Sequence, residues 1–414
     1  MPVAESKHGE AVCGKIRRMT QLDVLIVGGG PAGSTLAALL AKAGFRVAVL
    51  EREMFPRYHI GESLVPEVLE VLEESGALPA VERAGFLRKE GGVFRWGTNP
   101  EPWTFRFDEA KDRYRFFYAY QVLRSMFDKI LLDHAAACGA EVFQGATARE
   151  LLEDPGGGSG PVGARVVASR PDGEPLEFAA RLVVDCSGQA GWLASRFSLR
   201  KYDPFLRNIA IFAYFRDATR LQGPDANAIF CEAMEFGWFW NIPLHDGTNS
   251  VGLITKAELS PSANDREQFY ESAIKRSVYT RQMLARAARV TNLRCIADYS
   301  YRPKRLVGPG FLLAGDAGSF IDPIWSTGVM LATTTARLAA RAIVESFHSG
   351  ANQPLLEYER SVQQLVGRYR QFIYFFYHTN ACPTDYFWKA YSMVAGATDP
   401  KDAFIRLVSG RLGC

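Results

Sequence analysis

Apolar runs and helical stretches alternate along the first two hundred residues. Val24, Leu25, Ile26 and Val27 stand in a row, the pattern of a strand buried on both faces. A glycine-rich turn follows, and the Ala/Leu-rich stretch from Gly33 to Lys42 predicts a helix that Gly44 ends. Arg46 to Leu50 is the next apolar run and closes at Glu51, which completes a strand–turn–helix–strand unit. Gly61 to Pro66 predicts a loop that opens a helix over 67–74. Between 92 and 117, aromatic and polar positions alternate (Phe94, Trp96, Trp103, Phe105, Phe107) and predict strands of a second sheet. A helix from Arg124 to about Cys138 and strands at 140–143 and 181–185 return to the first sheet. Four further strands are expected at 209–215, 228–234, 238–244 and 250–255, with Asp246-Gly247 turning between the last two. A helical stretch is expected over 265–289, a buried strand at 311–315, and helix from about 328 onward.

The chain therefore leaves its first lobe and re-enters it twice. The expected fold class is α/β: a Rossmann-like nucleotide-binding lobe (21–92, 118–199 and 300–350) interleaved with a β-sheet substrate lobe (93–117 and 200–299), plus a helical C-terminal segment (351–414). Residues 1–20 are polar, with no apolar core of a signal sequence, and are expected to be a disordered extension. Asp154 to Pro161 is expected to be a solvent loop at a hairpin tip.

Charge narrows the partners. A net charge of +3 without any Lys/Arg block argues against nucleic acid. Seven scattered cysteines with no Cys-x-x-Cys, and no ligand-spaced histidines, argue against a metal site and fit a reducing cytoplasm. Phe372 to Tyr377 is the one membrane-like stretch; it is far too short to span a bilayer and is flanked by Arg368 and Arg370.

The chemistry begins at Gly28-Gly29-Gly30-Pro31-Ala32-Gly33. Gly28 permits the tight turn, Gly30 lets the backbone approach a pyrophosphate, and Gly33 allows close helix–strand packing. Ala32 lies in the same turn, where the helix N-terminus faces phosphate charge. Glu51, followed by Arg52, ends the second strand, where a carboxylate holds a ribose hydroxyl. Gly315-Asp316 follows an apolar run nearly three hundred residues later, and an acid there suits the sugar-alcohol chain of a flavin. With the first loop, it favours FAD over NAD. Arg124 has two readings, a cofactor contact or a solvated arginine at a helix start. Trp238 and Trp240, in Gly237-Trp238-Phe239-Trp240-Asn241-Ile242-Pro243, are two apart, so in a strand both indoles face one way. They read as an aromatic core strand or as a wall beside a cofactor. The start of a helix at Ser326-Thr327-Gly328 likewise reads as a plain cap or as an anion site made by the N–H groups of Thr327 and Gly328.

Taken together, several motifs resemble the FAD-dependent halogenases from about residue 22 to 410. They are the glycine loop, Phe55-Pro56-Arg57 with Gly61-Glu62-Ser63-Leu64, the Trp-x-Trp strand, and Phe320-Ile321-Asp322-Pro323-Ile324-Trp325-Ser326-Thr327-Gly328. The match is nearest to the branch acting on phenols and carrier-tethered aromatic units in antibiotic assembly lines. The resemblance implies FAD, used as FADH2 supplied by a separate flavin reductase. With O2 the reduced flavin forms a C4a-hydroperoxide that oxidises chloride or bromide to hypohalous acid. Trp238 and Trp240 would then divide the flavin from the substrate, Thr327 and Gly328 would hold halide, and Lys89 would guide the electrophile onto an aromatic ring. In the branch acting on free tryptophan a glutamate precedes the Ser-Thr-Gly; here Trp325 stands there, which favours a more electron-rich ring, a phenol, pyrrole or carrier-bound unit. An aromatic hydroxylase on the same scaffold and a catalytically inactive flavoprotein are the alternatives.

Overall fold

The computed structural model describes residues 20–110, 114–153, 163–260, 262–297, 300–379 and 381–412. The expected extension, up to residue 19, and the glycine-rich tip at 154–161 lie outside the described residues.

The apolar runs of the first lobe assemble into one sheet. Its main path runs Val307–Gly308, Phe311–Leu313, Pro175–Asp185, Thr20–Val27, Val47–Glu51, Glu141–Gln144. Every neighbouring pair from Phe311–Leu313 to Glu141–Gln144 is parallel. These central strands read as continuous Val/Ile/Leu because they are buried, Val24, Leu25, Ile26, Ala48, Val49, Val183 and Val184 being fully inaccessible. Pro31–Lys42 packs between Thr327–Ser349 and Arg124–Ala137. Close approach at the first turn depends on missing side chains. A Cβ on Gly33 would sit 1.9 Å from the Gly28 carbonyl oxygen, and one on Gly28 (φ +110°) 2.3 Å from that of Cys186.

The second sheet runs Trp103–Arg106, Gly91–Arg95, Ile229–Met234, Gly237–Pro243, Thr248–Lys256, Asn208–Arg216 and then the short Ala288–Arg289 and Arg294–Ala297. Its pairs are antiparallel, apart from Gly91–Arg95 beside Ile229–Met234. Alternation sorts the side chains. Phe239, Ile211, Val251 and Leu253 face outward under Tyr270 of helix Arg266–Arg276, while Trp238, Trp240, Ile242 and Cys231 face the molecule's main core.

Two expectations change. The strands over 92–117 stop at Arg106, and a 3-10 turn, Phe107–Glu109, follows. The helix over 265–289 is two helices, Arg266–Arg276 and Tyr279–Met283, followed by the strand Ala288–Arg289. The break is made from outside: the buried Glu232 carboxylate accepts the N–H groups of Val278, Tyr279 and Thr280 at 2.7, 3.0 and 2.7 Å, starting the second helix. The C-terminal segment is helical as read, through Gln353–His378, Pro383–Tyr391 and Pro400–Val408. No helix among the described residues is long and apolar enough to cross a membrane.

Candidate active site

A cavity of about 690 Å³ lies between the two sheets. One end is the glycine turn, with Gly28, Gly30 and Ala32 in its wall beside Glu51 and Arg52. The other end is closed by Trp238, Trp240, Phe212, Ile242 and the turn carrying Ser326 and Gly328. Its size falls within the roughly 300–1,000 Å³ typical of cofactor sites.

The nucleotide end is built for a bound phosphate and ribose. Glu51 Oε2 accepts the Gly29 N–H at 2.8 Å and its Oε1 the Glu53 N–H at 2.9 Å, so the carboxylate is held at the strand end. Arg52 stands at the rim, largely exposed, 3.6 Å from Glu53. Gly33 is buried in the first turn of the helix and does not itself line the cavity.

In the middle, Arg124 is 6 % exposed, so the solvated reading is set aside. Its Nε and Nη2 donate to the two Asp128 oxygens at 2.7 and 2.9 Å, and Nη1 turns to the Ile60 and Gly61 carbonyls. Asp128, four residues on, also takes Arg57 at 3.1 Å. Asp316 faces this cavity from the opposite wall. Burial pushes its carboxyl up to about 7, against the pull of Arg124 and Arg200. A half-buried carboxyl between a phosphate loop and an aromatic wall fits FAD, whose sugar-alcohol hydroxyls would be its donors.

Both indoles at the far end are pinned. Trp238 Nε1 donates to the Tyr377 hydroxyl at 2.6 Å, and that hydroxyl donates to Asp322 Oδ1 at 2.9 Å. Trp240 Nε1 donates to Ser250 Oγ at 3.2 Å. The ring centroids lie 6.2 Å apart at 58°. Asp322 also accepts from Asn208 and from the Ile324 N–H; burial raises it to about 6, so it serves the wall and the turn that precedes Ser326.

Helix Thr327–Ser349 begins beside this wall. Its N-cap is Ser326 at φ +57°, and no side chain caps the first turn. The cap reading is therefore only half right: a cap residue is present, and its hydroxyl does no capping. Gly328 lines the cavity, while Thr327 is buried just behind.

Lys89 lies outside the cavity wall. It is the last residue of the short strand Leu87–Lys89, paired with Ala119–Gln121, and is 2 % exposed. Its Nζ donates to Ser63 Oγ at 2.9 Å and to the Leu64 carbonyl at 2.8 Å. Ser63 itself lines the cavity, so one side chain separates the amine from the cofactor space. Burial without a carboxylate partner lowers the amine to about 7. Glu90, the neighbouring acid, instead pairs with Arg88 at 2.7 Å.

Trp325 occupies the centre of an aromatic cluster, stacked on Phe94 at 5.0 Å and edge-on to Phe376 at 4.5 Å, with Phe404 and Phe372 around it. Its buried indole N–H has no hydrogen-bond partner among the described residues.

Sequence reasoning missed Asp128 and Tyr214, and it gave no individual role to Glu62 and Ser63 of the Gly61–Leu64 motif or to Tyr377 of the aromatic stretch. Of the two missed residues, Asp128 carried a local signal, the four-residue spacing from Arg124.

A phosphate turn on a parallel sheet, an acid opposite it and a walled cavity between two lobes define a flavin-dependent oxidoreductase. The family model for tryptophan halogenases matches residues 23–117 and 108–411, and the chain belongs to that family. It is 38% identical to the tryptophan 2-halogenase of Chondromyces crocatus over 94% of this chain and 75% of that one. It is 35% identical to the 1H-pyrrole-2-carbonyl-(peptidyl-carrier protein) chlorinase of Pseudomonas fluorescens, over 86% of this chain and 84% of that one. Among solved structures, the myxobacterial chondrochloren halogenase, described as a new variant of FAD-dependent halogenases, superposes with a TM-score of 0.81 at 36% identity, covering 95% of this chain and 91% of that one. The protein is thus an FAD-dependent halogenase.

Proposed function

We propose that the chain halogenates an electron-rich aromatic ring, a phenol, pyrrole or indole, free or carrier-tethered, with an electrophile made at one end of the cavity and used beyond it. The observation that carries this reading is the partition: Trp238 and Trp240 close the cavity, and the Lys89 amine abuts Ser63 outside it. Reduced FAD and O2 supply the oxidising chemistry between the glycine turn and the indoles, where Glu51, Arg124 and Asp316 hold the cofactor. Arg52 and Ala32 complete that surround. A hydroxylase would need its ring beside the flavin, at the cavity end that Trp238 and Trp240 line.

Chloride or bromide binds at the N–H groups of Thr327 and Gly328. A helix of 23 residues presents its positive end there, uncapped, behind a non-glycine residue held in the left-handed region. Lys89, partly neutral near pH 7, offers a lone pair to hypohalous acid or an N–H to orient it. The substrate reading draws on the relatives' names: carbon 2 of an indole and a carrier-bound pyrrole both belong to electron-rich five-membered rings. Trp325 supports it further, because no acid stands there to assist a less reactive ring. A separate flavin reductase would supply FADH2. A reducing cytoplasm suits the free cysteines Cys138, Cys186, Cys231, Cys295 and Cys382.

The test is incubation of enzyme, FADH2 and bromide with phenols, pyrroles and indoles, free and carrier-loaded, read by mass spectrometry. Lys89→Ala should abolish brominated product while flavin reoxidation continues. Hydroxylated product without bromine, or bromination that survives Lys89→Ala, overturns the reading.

A further inference from the structure

Halide oxidation consumes a proton. Reduced flavin (FADH2), O2, one halide ion and one proton yield oxidised flavin, water and hypohalous acid. Substitution on the ring then exchanges one ring proton for halogen and releases water, with no further net proton. One proton per turnover must therefore reach the indole-lined end of the cavity, away from the exposed rim at Arg52.

Glu62 is placed to deliver it. It lies in Gly61-Glu62-Ser63, one residue before the serine that touches Lys89, is 2 % exposed, and lines the cavity. Its Oε2 accepts the Gly61 N–H at 3.0 Å. The Tyr214 hydroxyl, from strand Asn208–Arg216, donates to its Oε1 in a short bond. With that proton committed, Tyr214 accepts from the Tyr58 hydroxyl, 3.2 Å away. Tyr58 is 40% exposed, with the Arg294 guanidinium over its ring at 3.8 Å. Three oxygens thus lead from a part-exposed tyrosine to the cavity, and with the Tyr214 proton given to Glu62 the remaining hydroxyl is free to donate inward.

We propose that Tyr58, Tyr214 and Glu62 form a proton relay serving halide oxidation. A proton leaves the Glu62 carboxyl for the cavity. Tyr214 passes its proton to the carboxylate, Tyr58 passes its own to Tyr214, and solvent reprotonates Tyr58, so each oxygen ends as it began. The surrounding charges suit a carboxyl that both holds and releases a proton. Burial raises Glu62, while Tyr214, the Gly61 N–H and Arg124 pull it back. Arg124 is itself neutralised by Asp128, which also takes Arg57, and Asp316 stands across the cavity. His59, lowered to about 4 by burial and Arg124, stays neutral at working pH and does not compete as a cation. Burial and the Glu62 charge hold both tyrosines far above their ordinary range, so they hand protons on without resting as phenolates.

The relay rests on the halogenase reading, and the test separates the two. Tyr214→Phe keeps the ring and removes the middle oxygen. Three readouts are taken: FAD affinity, brominated product with and without added acetic acid buffer, and the infrared spectrum of flavin-free protein. FAD affinity is expected within about twofold of wild type, with product formation at least tenfold slower and restored in proportion to the buffer acid. As pH is lowered, a carboxylic acid band that is lost in Glu62→Gln is expected to appear in the flavin-free wild type at a higher pH than for an exposed glutamate, and to be shifted in Tyr214→Phe. If Tyr214→Phe loses FAD or fails to fold, Tyr58→Phe, which does not touch Glu62, decides by the same rescue. Unchanged product formation, a loss that buffer acid does not restore, or a missing band overturns the relay. Wild-type protein that never halogenates overturns the underlying reading instead.

Discussion

At the residue scale, two ionisable groups set the testable numbers. Asp316, half-buried in the cavity wall, has its carboxyl raised to about 7 against the pull of Arg124 and Arg200, and cofactor hydroxyls would be its donors. A hydrogen bond to a charged group contributes about 1.5–3 kcal/mol, so Asp316→Asn should weaken FAD binding by roughly 10- to 150-fold. Fluorescence titration of the flavin checks this, and unchanged affinity would remove Asp316 from the site. Lys89 has the opposite sign. Its folded value, about 7, lies below that of the unfolded chain, 10.5. Below about pH 7 both states hold the proton and the burial penalty is complete. Between 7 and 10.5 only the unfolded chain holds it, so the penalty falls as pH rises. Lys89→Met should therefore gain most in Tm relative to wild type at neutral pH, and the gain should shrink toward pH 10, while halogenation is lost. Thermal melts across that range check it. A pH-independent difference would show that the amine is not held neutral by burial.

At the scale of elements, the tryptophan strand is where sequence and structure agree most closely, and the reason is local. Residues two apart on a strand share a face whatever lies beyond, so Trp238 and Trp240 were legible from spacing alone. The same holds for the glycine turn, whose meaning depends on a strand and a helix adjacent in sequence. Distance along the chain hid the rest. The break at Ser277 is made by Glu232, and the proton path joins Glu62 to Tyr214, 152 residues on. Lys89 was placed by resemblance, and nothing around it in sequence shows that its neighbour would be Ser63. The wall is also held from afar, by Tyr377 on the helix Gln353–His378 and by Asp322 behind it. Tyr377→Phe removes that tie and leaves the Trp238 N–H buried without its partner, costing about 1–3 kcal/mol. Stability should drop by that amount, and the ratio of halogenated product to flavin oxidised should fall as the indole loosens. A variant that keeps full coupling would mean the wall does not need this anchor.

For the whole molecule, the proposed partition of one reaction into two places draws on two sheets and a helical C-terminus. The parallel sheet presents the glycine turn, Glu51 and Asp316; the second sheet presents the indoles; and the short strand carrying Lys89 lies outside the cavity. Aromatic side chains from the second sheet and the C-terminal helices surround Trp325 and back the end of the cavity that Trp238 and Trp240 line. The direct measurement is a crystal structure of the enzyme with FAD, bromide and an accepted aromatic substrate, with the bromide located by its anomalous signal. Bromide should lie at the N–H groups of Thr327 and Gly328, and the aromatic ring should lie on the Lys89 side of Trp238 and Trp240. A ring stacked on the flavin itself, with neither indole between them, would contradict the partition.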